Sequence, residues 1–294
     1  MTVRLALALL FIVAAVLAYP YRDATQQWVL GVSVVVVIAL FSWWRGEFAT
    51  TKLVRRWAIW RGNRGGARRP ARVTAATVVL GIEDPLDDEL PVGLIAGYAD
   101  RYGLRLDKVR ITSREAGGQV QHWISLTLDA EENLPALQAR SAQIPVAQTT
   151  ETVARRLADH LREGGWTVTA VQHAPRPVSD SAKETWRAVT DESGFLTAYR
   201  IPVDALAATL DLVRAAPCEE RWTAVEFAPE SVTAVAALRS AERPTGAPPI
   251  AALAPLGGLQ RSTLDALDPF SADRLPGHRP AGTFADQVRW PSTV

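Results

Sequence analysis

The residues best able to do chemistry in this sequence are four histidines and one cysteine. No two of His122, His160, His173 and His278 stand at the short spacing that paired zinc ligands use. Cys218 has no second cysteine to pair with, which excludes an internal disulfide and is typical of a reducing compartment. The chain also lacks a phosphate-binding loop and a serine nucleophile elbow. These patterns predict no catalytic residue, no cofactor site and no metal site.

One acidic segment leaves an alternative open. Five carboxylates crowd Glu83–Glu89, and clustered carboxylates are ligands that hard divalent cations prefer. A site of that kind would suit a membrane-anchored, metal-dependent enzyme of the glycosyltransferase type. The interpretation we favour is helix capping, because Pro91 opens a predicted helix that Gly103 closes. Acidic residues just before a helix start are stabilised by the helix dipole.

The N-terminal part of the chain, which precedes the acidic segment, contains two apolar stretches. Val3–Tyr21 carries a single charge, Arg4, and Trp28–Trp44 carries none. About 20 helical residues span the core of a bilayer, and a chain in lipid must satisfy its own backbone hydrogen bonds. We therefore predict two N-terminal transmembrane helices, a transmembrane hairpin over residues 1–46. The alternative for the first stretch is a cleaved signal peptide with a small-residue site at Val16–Ala18.

Charge is unevenly distributed, although the net charge of the chain is only +1. Nine basic residues and one acidic residue, Glu47, lie between Arg45 and Arg72. Short segments rich in lysine and arginine face the cytoplasm. We therefore predict a multi-pass protein of the inner (plasma) membrane with both termini cytoplasmic. The acidic balance of the remaining chain argues against nucleic acid as a partner.

Residues 47–72 are predicted as a basic juxtamembrane helix followed by a linker. Leu53, Trp57 and Trp60 recur at helical spacing on one face. Tryptophan rings and basic side chains favour the bilayer interface, so we expect this helix to lie against lipid headgroups or a partner subunit. The alternative is that its charges are ordinary flanking charges. The predicted membrane-interface residues are Trp28, Trp43, Trp44, Lys52, Arg55, Arg56, Trp57 and Trp60.

Residues 73–242 have the pattern of a cytoplasmic α+β domain with a mixed or antiparallel sheet. Residues 108–172 and 185–227 both follow the order strand, glycine turn, strand, helix, strand, and glycine supplies the positive φ that hairpin turns need. This order predicts two related ββαβ units. A final helix is predicted over Ser231–Ala241. Residues 243–294 form a Pro/Gly-rich tail that we expect to be extended or partly disordered.

Three stretches carry a resemblance to a known family. They are FATTKLVRRWAIWRGNRG (residues 48–65), ISLTLDAEENLPALQARS (124–141) and ETVARRLADHLREGGWTV (151–168). With the N-terminal segment and the mixed domain, they resemble the EccE component of actinobacterial type VII (ESX) secretion systems, nearest the branch linked to iron and zinc acquisition. The resemblance implies a structural subunit of an inner-membrane complex whose partners are EccB, the ATPase EccC, EccD and the lipid bilayer. It supplies no active-site residues.

Overall fold

The chain folds into two compact units, residues 1–65 and residues 66–294. The computed structural model describes residues 2–17, 19, 23–41, 43–44, 47–65, 72–83, 89–139, 141, 144–277, 279–280 and 290. The first unit is mainly helical, whereas the second is built on one antiparallel sheet.

The N-terminal unit consists of three helices and a two-stranded ladder. They are α1 (Thr2–Leu17), α2 (Ala24–Phe41), β1 (Trp43–Trp44), β2 (Glu47–Phe48) and α3 (Ala49–Gly65). α1 and α2 pack against each other, and Ala8 and Ser33 are buried. The ladder of β1 and β2 separates α2 from α3, so α3 is a new helix and not an extension of α2.

The prediction of two transmembrane helices is wrong. Among the residues described, no helix is both long enough and apolar enough to cross a bilayer. α1 has 16 residues, which is about 24 Å of helix, whereas the hydrocarbon core is about 30 Å thick. α2 begins in the polar run 24–27 and ends at Phe41, so the apolar stretch Trp28–Trp44 is not one helix. The predicted multi-pass topology therefore has no support from the described helices.

The larger unit is an α+β fold with an antiparallel sheet, and this part of the fold prediction is confirmed. Its strands are β3 (Ala75–Glu83), β4 (Asp100–Arg101), β5 (Leu104–Arg105), β6 (Lys108–Ala116), β7 (Gln119–Asp129), β8 (Thr167–Val171), β9 (Lys183–Glu184), β10 (Val189–Asp191), β11 (Gly194–Ile201), β12 (Glu220–Ala228), β13 (Ser231–Ser240), β14 (Ala254–Pro255) and β15 (Arg279–Pro280). Its helices are α4 (Val92–Gly97), α5 (Leu134–Gln138), α6 (Val146–Glu163), α7 (Leu206–Ala215) and α8 (Gln260–Leu267). A 3₁₀ turn, Val203–Ala205, leads into α7.

Nine strands follow one another across the main sheet in the order β8-β3-β7-β6-β12-β13-β11-β10-β9. Its first eight strands read as two runs of four. In each run a hairpin (β6–β7 or β10–β11) is followed by a helix (α6 or α7) and then by a strand (β8 or β12). One strand, β3 or β13, separates that last strand from the hairpin. Both runs are therefore split β-α-β units, and the β6–β12 pairing joins them at a seam.

The face of the sheet that carries α6 and α7 holds the larger apolar core. Ile111 and Ile124 of the sheet belong to one buried cluster with Leu157 of α6 and Leu210 of α7. Val109 and Ile111 lie at alternate positions of β6, and Ile124 and Leu126 at alternate positions of β7, so every second side chain points to this face. The core extends across both runs of the sheet and holds them together.

The opposite face carries α8 and a pair of stacked tryptophans. Trp123 of β7 and Trp222 of β12 lie with ring centroids 6.0 Å apart. They share a second buried cluster with Leu264 and Leu267 of α8. Part of the Pro/Gly-rich tail, predicted to be extended or partly disordered, is thus a structural layer of the domain.

Two predicted helices differ from the structure. Ser231–Ala241 contributes the strand β13, which is hydrogen-bonded to β12 and β11 on its two sides and buried over 232–239. The alanines of this segment favour a helix locally. In the structure their small side chains pack in the two buried clusters on either face of the sheet. Hydrogen bonds to β12 and β11 stabilise the extended conformation. Of the helix predicted between Pro91 and Gly103, only α4 forms, and Gly103 lies instead in the turn between β4 and β5.

Candidate interaction surfaces

The predicted interface residues of α3 lie on an exposed helix. Trp57 is 56% exposed and Trp60 is 52% exposed. The guanidinium of Arg61 lies 5.3 Å from the centroid of the Trp57 ring, and that of Arg64 lies 3.9 Å from the Trp60 ring. Each arginine is four residues after its tryptophan, the spacing at which helix side chains meet. α3 therefore presents apolar rings and cations together to its surroundings.

The other predicted interface residues fall in three places. Lys52 and Arg55 of α3 are partly exposed and Arg56 is exposed. Trp28 lies near the start of α2 and is 73% exposed. The backbone of Trp43–Trp44 forms β1, but the side chains of both tryptophans lie outside the described residues.

The three histidines within the described residues do not form a site. Nδ1 of His160 is hydrogen-bonded to the hydroxyl of Tyr98 at 2.6 Å, and His122 is hydrogen-bonded to Ser113. His173 is exposed, and His278 lies outside the described residues. The three described histidines lie on β7, on α6 and after β8, and the structure does not bring them together into a metal-binding group.

The described residues provide no support for a reactive cysteine or for a metal site. Burial raises the pKa of the Cys218 thiol, which disfavours the reactive thiolate. Across the described ranges, no group of three histidine, cysteine or acidic side chains is placed to hold a metal ion. Asp84, Asp87 and Asp88 lie outside those ranges, so the metal-site alternative stays a prediction.

A network of buried charges lies at the seam of the sheet, and sequence reasoning missed it. Arg110 of β6 and Glu226 of β12 are cross-strand partners with unexposed side chains, and Nη2 of the arginine lies 2.7 Å from Oε2 of the carboxylate. Arg110 also donates to the backbone carbonyls of Ala266, Asp268 and Asp273. The network therefore ties the tail to the sheet.

Lys108 belongs to the same network. Burial and the neighbouring charge of Arg110 lower the pKa of Lys108 well below its ordinary value. A lysine with a lowered pKa is a candidate nucleophile, but this side chain is fully buried. It donates to the carbonyl oxygens of Ser271, at 2.8 Å, and Asp273. Lys108 therefore joins the sheet to the tail through hydrogen bonds, and its amine is not accessible to a substrate.

A second ionic cluster joins β6, β12, β13 and β10. Glu220 accepts hydrogen bonds from Nε of Arg114 and Nε of Arg239, both at 2.6 Å, and from Nε1 of Trp222 at 3.1 Å. Arg239 in turn donates to Asp191 at 2.7 Å. The polar atoms of these charged residues are turned toward one another across four strands, and their pairing holds these strands together.

One exposed residue of the larger unit has an unusual backbone. Tyr102, in the turn between β4 and β5, has a φ of 58°, a conformation that costs a non-glycine residue about 1–2 kcal/mol. Its ring is 42% exposed. The guanidinium of Arg156 on α6 lies 4.7 Å from the ring centroid and that of Arg101 lies 5.2 Å away. This turn is a second candidate interaction surface.

Comparison with known proteins identifies the family. A family model described as "Putative type VII ESX secretion system translocon, EccE" matches residues 116–201, from the end of β6 to the end of β11. The "ESX-3 secretion system protein EccE3" of Mycolicibacterium smegmatis is 51% identical over 94% of this chain and 91% of the relative. The protein of that name in Mycobacterium tuberculosis is 43% identical over 98% of this chain and 92% of the relative. The chain belongs to the EccE family.

The resemblance to the EccE family, in its ESX-3 branch, is thereby confirmed. Membership places the chain among the components of type VII secretion systems. The relatives match almost the whole chain, so they cover the N-terminal unit as well as the sheet.

Proposed function

We propose that this EccE-family chain is a non-enzymatic structural subunit of an ESX-3 type VII secretion complex. Residues 1–65 attach it at the membrane surface, and residues 66–294 contact the other membrane components. The partners we propose are EccB, the ATPase EccC and EccD, together with anionic lipid headgroups.

The observation that carries this proposal is the apolar and cationic surface of residues 1–65. Apolar side chains that are about half exposed or more lie on all three helices: Leu9, Leu10, Val16, Leu17, Trp28, Val35, Leu53, Val54, Trp57 and Trp60. Exposed apolar surface of this extent marks a site that contacts lipid or another protein. On α3 the apolar residues alternate with basic ones, the composition of helices that lie in a bilayer interface.

The character of the larger unit supports a scaffold role. Its buried charges are engaged in ion pairs and in hydrogen bonds to the tail, as at Arg110 and Glu226. In the described part of the chain, the side chains that could do chemistry are dispersed or buried. A rigid sheet with two covered faces is suited to holding partner-binding surfaces in fixed positions.

The test is affinity purification of the full-length chain with a tag after Val294, from detergent-solubilised membranes of cells that carry the whole secretion system. Mass spectrometry is expected to find EccB, EccC and EccD in defined proportion to the tagged chain. A monomeric particle without these partners would overturn the proposal. His173→Gln and Cys218→Ser are expected to leave secretion unchanged, whereas loss of secretion with an intact complex would indicate a catalytic role.

A further inference from the structure

In the turn between β4 and β5, the backbone adopts a conformation that disfavours the tyrosine found there. Among the described non-glycine residues, Tyr102 alone has a positive φ, 58°, and Gly103 follows with 69°. Positive φ at both central positions is the requirement of a type I′ turn, in which Asn-Gly and Asp-Gly are preferred. The Tyr102 ring is 42% exposed, so burial compensates only partly for this strain. An unfavoured aromatic residue at an exposed turn suggests a role outside the folding of the hairpin.

Contacts from two elements hold the ring in place. Arg101 lies 5.2 Å and Arg156 of α6 lies 4.7 Å from the centroid of the Tyr102 ring. Arg101 is also 4.9 Å from the ring of Tyr98, which is fully buried and hydrogen-bonded to His160. The side chains of Arg101, Tyr102 and Arg156, here called the arginine–tyrosine patch, are therefore already in contact without a partner, and preorganisation of this kind lowers the entropic cost of binding.

The two arginines of the patch carry uncompensated charge. Within the described ranges neither Arg101 nor Arg156 lies within ion-pair distance of a carboxylate, whereas the nearby Arg105 pairs with Glu230 at 3.1 Å. Contact with an aromatic ring leaves the edge of a guanidinium free to donate hydrogen bonds. The patch therefore offers two forked sets of donors close to an apolar ring.

We propose that the arginine–tyrosine patch binds an acidic polypeptide segment of a neighbouring subunit of the secretion complex, an inference that rests on the proposed function. Arginine pairs with carboxylates in bidentate geometry, and tyrosine and arginine are enriched among residues that dominate binding energy. Beside the patch, Asp100 pairs with Arg105 at 3.9 Å and Asp159 pairs with Arg162 at 2.9 Å. Among these neighbouring charges the cationic area is therefore confined to Arg101 and Arg156, which suits a narrow acidic segment better than a continuous anionic bilayer.

The partner is identified by crosslinking from the patch itself. A photo-crosslinking phenylalanine analogue replaces Tyr102 in the full-length chain, and the assembled complex is irradiated before purification. The expected product joins this position to a peptide rich in aspartate and glutamate from another ESX component. That peptide is then synthesised and titrated against the full-length chain at low and high salt.

Tyr102→Asn separates binding from folding. Asn-Gly suits the turn better than Tyr-Gly, so the thermal midpoint of the variant is expected to equal or exceed that of the wild type. Its affinity for the peptide is expected to fall by about tenfold or more. The double variant Arg101→Gln/Arg156→Gln is expected to lose affinity and most of the salt dependence. Arg155→Gln, an exposed position of α6 next to Arg156, is the matched control and is expected to bind like the wild type.

Each other outcome has a defined meaning. A crosslink to lipid or to a peptide without acidic residues, or a Tyr102→Asn variant that binds like the wild type, overturns this inference alone. So does an intact complex without a crosslink at residue 102. If the wild-type chain purifies without other ESX components, the proposed function and this inference are overturned together.

Discussion

Arg110 and Glu226 face each other across the seam between the two runs of the sheet, and neither side chain reaches solvent. The carboxylate of Glu226 also accepts the backbone N–H of Leu275 at 3.0 Å. A single buried ion pair thus links β6, β12 and the tail. Removal of one member of a buried ion pair leaves the other charge buried without compensation, which destabilises the fold.

Substitution of Glu226 by glutamine is expected to destabilise the larger unit by about 3–5 kcal/mol, because the change leaves Arg110 buried without its counter-charge. Urea unfolding of the full-length chain measures the effect. Glu230→Gln is the control, since the Glu230–Arg105 pair is exposed and is worth about 1 kcal/mol or less. Equal unfolding midpoints for the two variants would show that the seam pair does not stabilise the fold.

Lys108→Met is expected to change the pH dependence of stability. Because burial lowers the pKa of Lys108 from its ordinary value of 10.5, the unfolded chain binds the proton more tightly than the folded one. Stability from this group therefore rises as pH increases through the folded-state pKa toward 10.5. The variant lacks this rise, so its curve of unfolding free energy against pH is flatter on the alkaline side. A slope equal to that of the wild type would refute the assignment.

The same variant is expected to loosen the tail. Lys108 donates to the carbonyls of Ser271 and Asp273, and the variant offers neither hydrogen bond. Amide hydrogen exchange over residues 268–275 should accelerate, while exchange in α6, on the opposite face, should not change. Uniform acceleration across the unit would instead indicate global destabilisation.

Glu184→Gln is expected to raise stability at neutral pH. Burial raises the pKa of Glu184 above 4.5, although backbone N–H groups of Arg261 and Gln260 oppose the shift. The folded chain therefore holds this proton more tightly, so stability falls as pH rises from 4.5 through the folded-state pKa. Glutamine keeps an oxygen for the N–H of Arg261, which lies 3.0 Å away, and removes the charge. Thermal midpoints between pH 4 and 8 test this, and an unchanged profile would contradict it.

Arg61→Gln/Arg64→Gln on α3 is expected to weaken binding of the full-length chain to vesicles that contain phosphatidylserine. Each basic residue near an anionic surface contributes about 1 kcal/mol, so removal of two lowers partitioning by about 30-fold at low salt. Flotation of vesicles measures the change. Vesicles of phosphatidylcholine alone are the control, and equal loss there would show that charge is not the cause.

Trp57→Ala/Trp60→Ala is expected to weaken binding to both kinds of vesicle. Both rings are more than half exposed on α3, and an apolar ring gains free energy when it leaves water whatever the headgroup charge. Retained binding to both vesicles would show that α3 does not use these rings to contact lipid.

Local patterns in the sequence were sufficient to predict the hairpins and most of the helices. The glycine turns at Gly117–Gly118 and Gly194 join paired strands as predicted, because positive φ is a property of the residue itself. The helix predicted between the first hairpin and the strand that follows it is α6. Three stretches of the sequence were also sufficient to predict the family.

Long-range contacts decided the rest. Lys108 and Arg110 alternate with apolar residues along β6, a pattern typical of an exposed strand face, and only the packing of residues 266–275 over that face buries them. The strand β13 likewise depends on neighbours on both of its edges. In the N-terminal unit, no described helix is long enough and apolar enough to cross a bilayer, although the hydropathy pattern predicted two that were.

The sequence by itself therefore determined the turns, the α+β class, the family and the absence of a recognisable catalytic motif, all of which depend on residue type and short spacing. Only the tertiary structure decided which charges are buried, which strand lies between which, and that an exposed tyrosine is flanked by two arginines. Those features join residues such as Arg101 and Arg156 that are far apart in the chain. Their energies come from burial and pairing across the fold, which no local window of sequence contains.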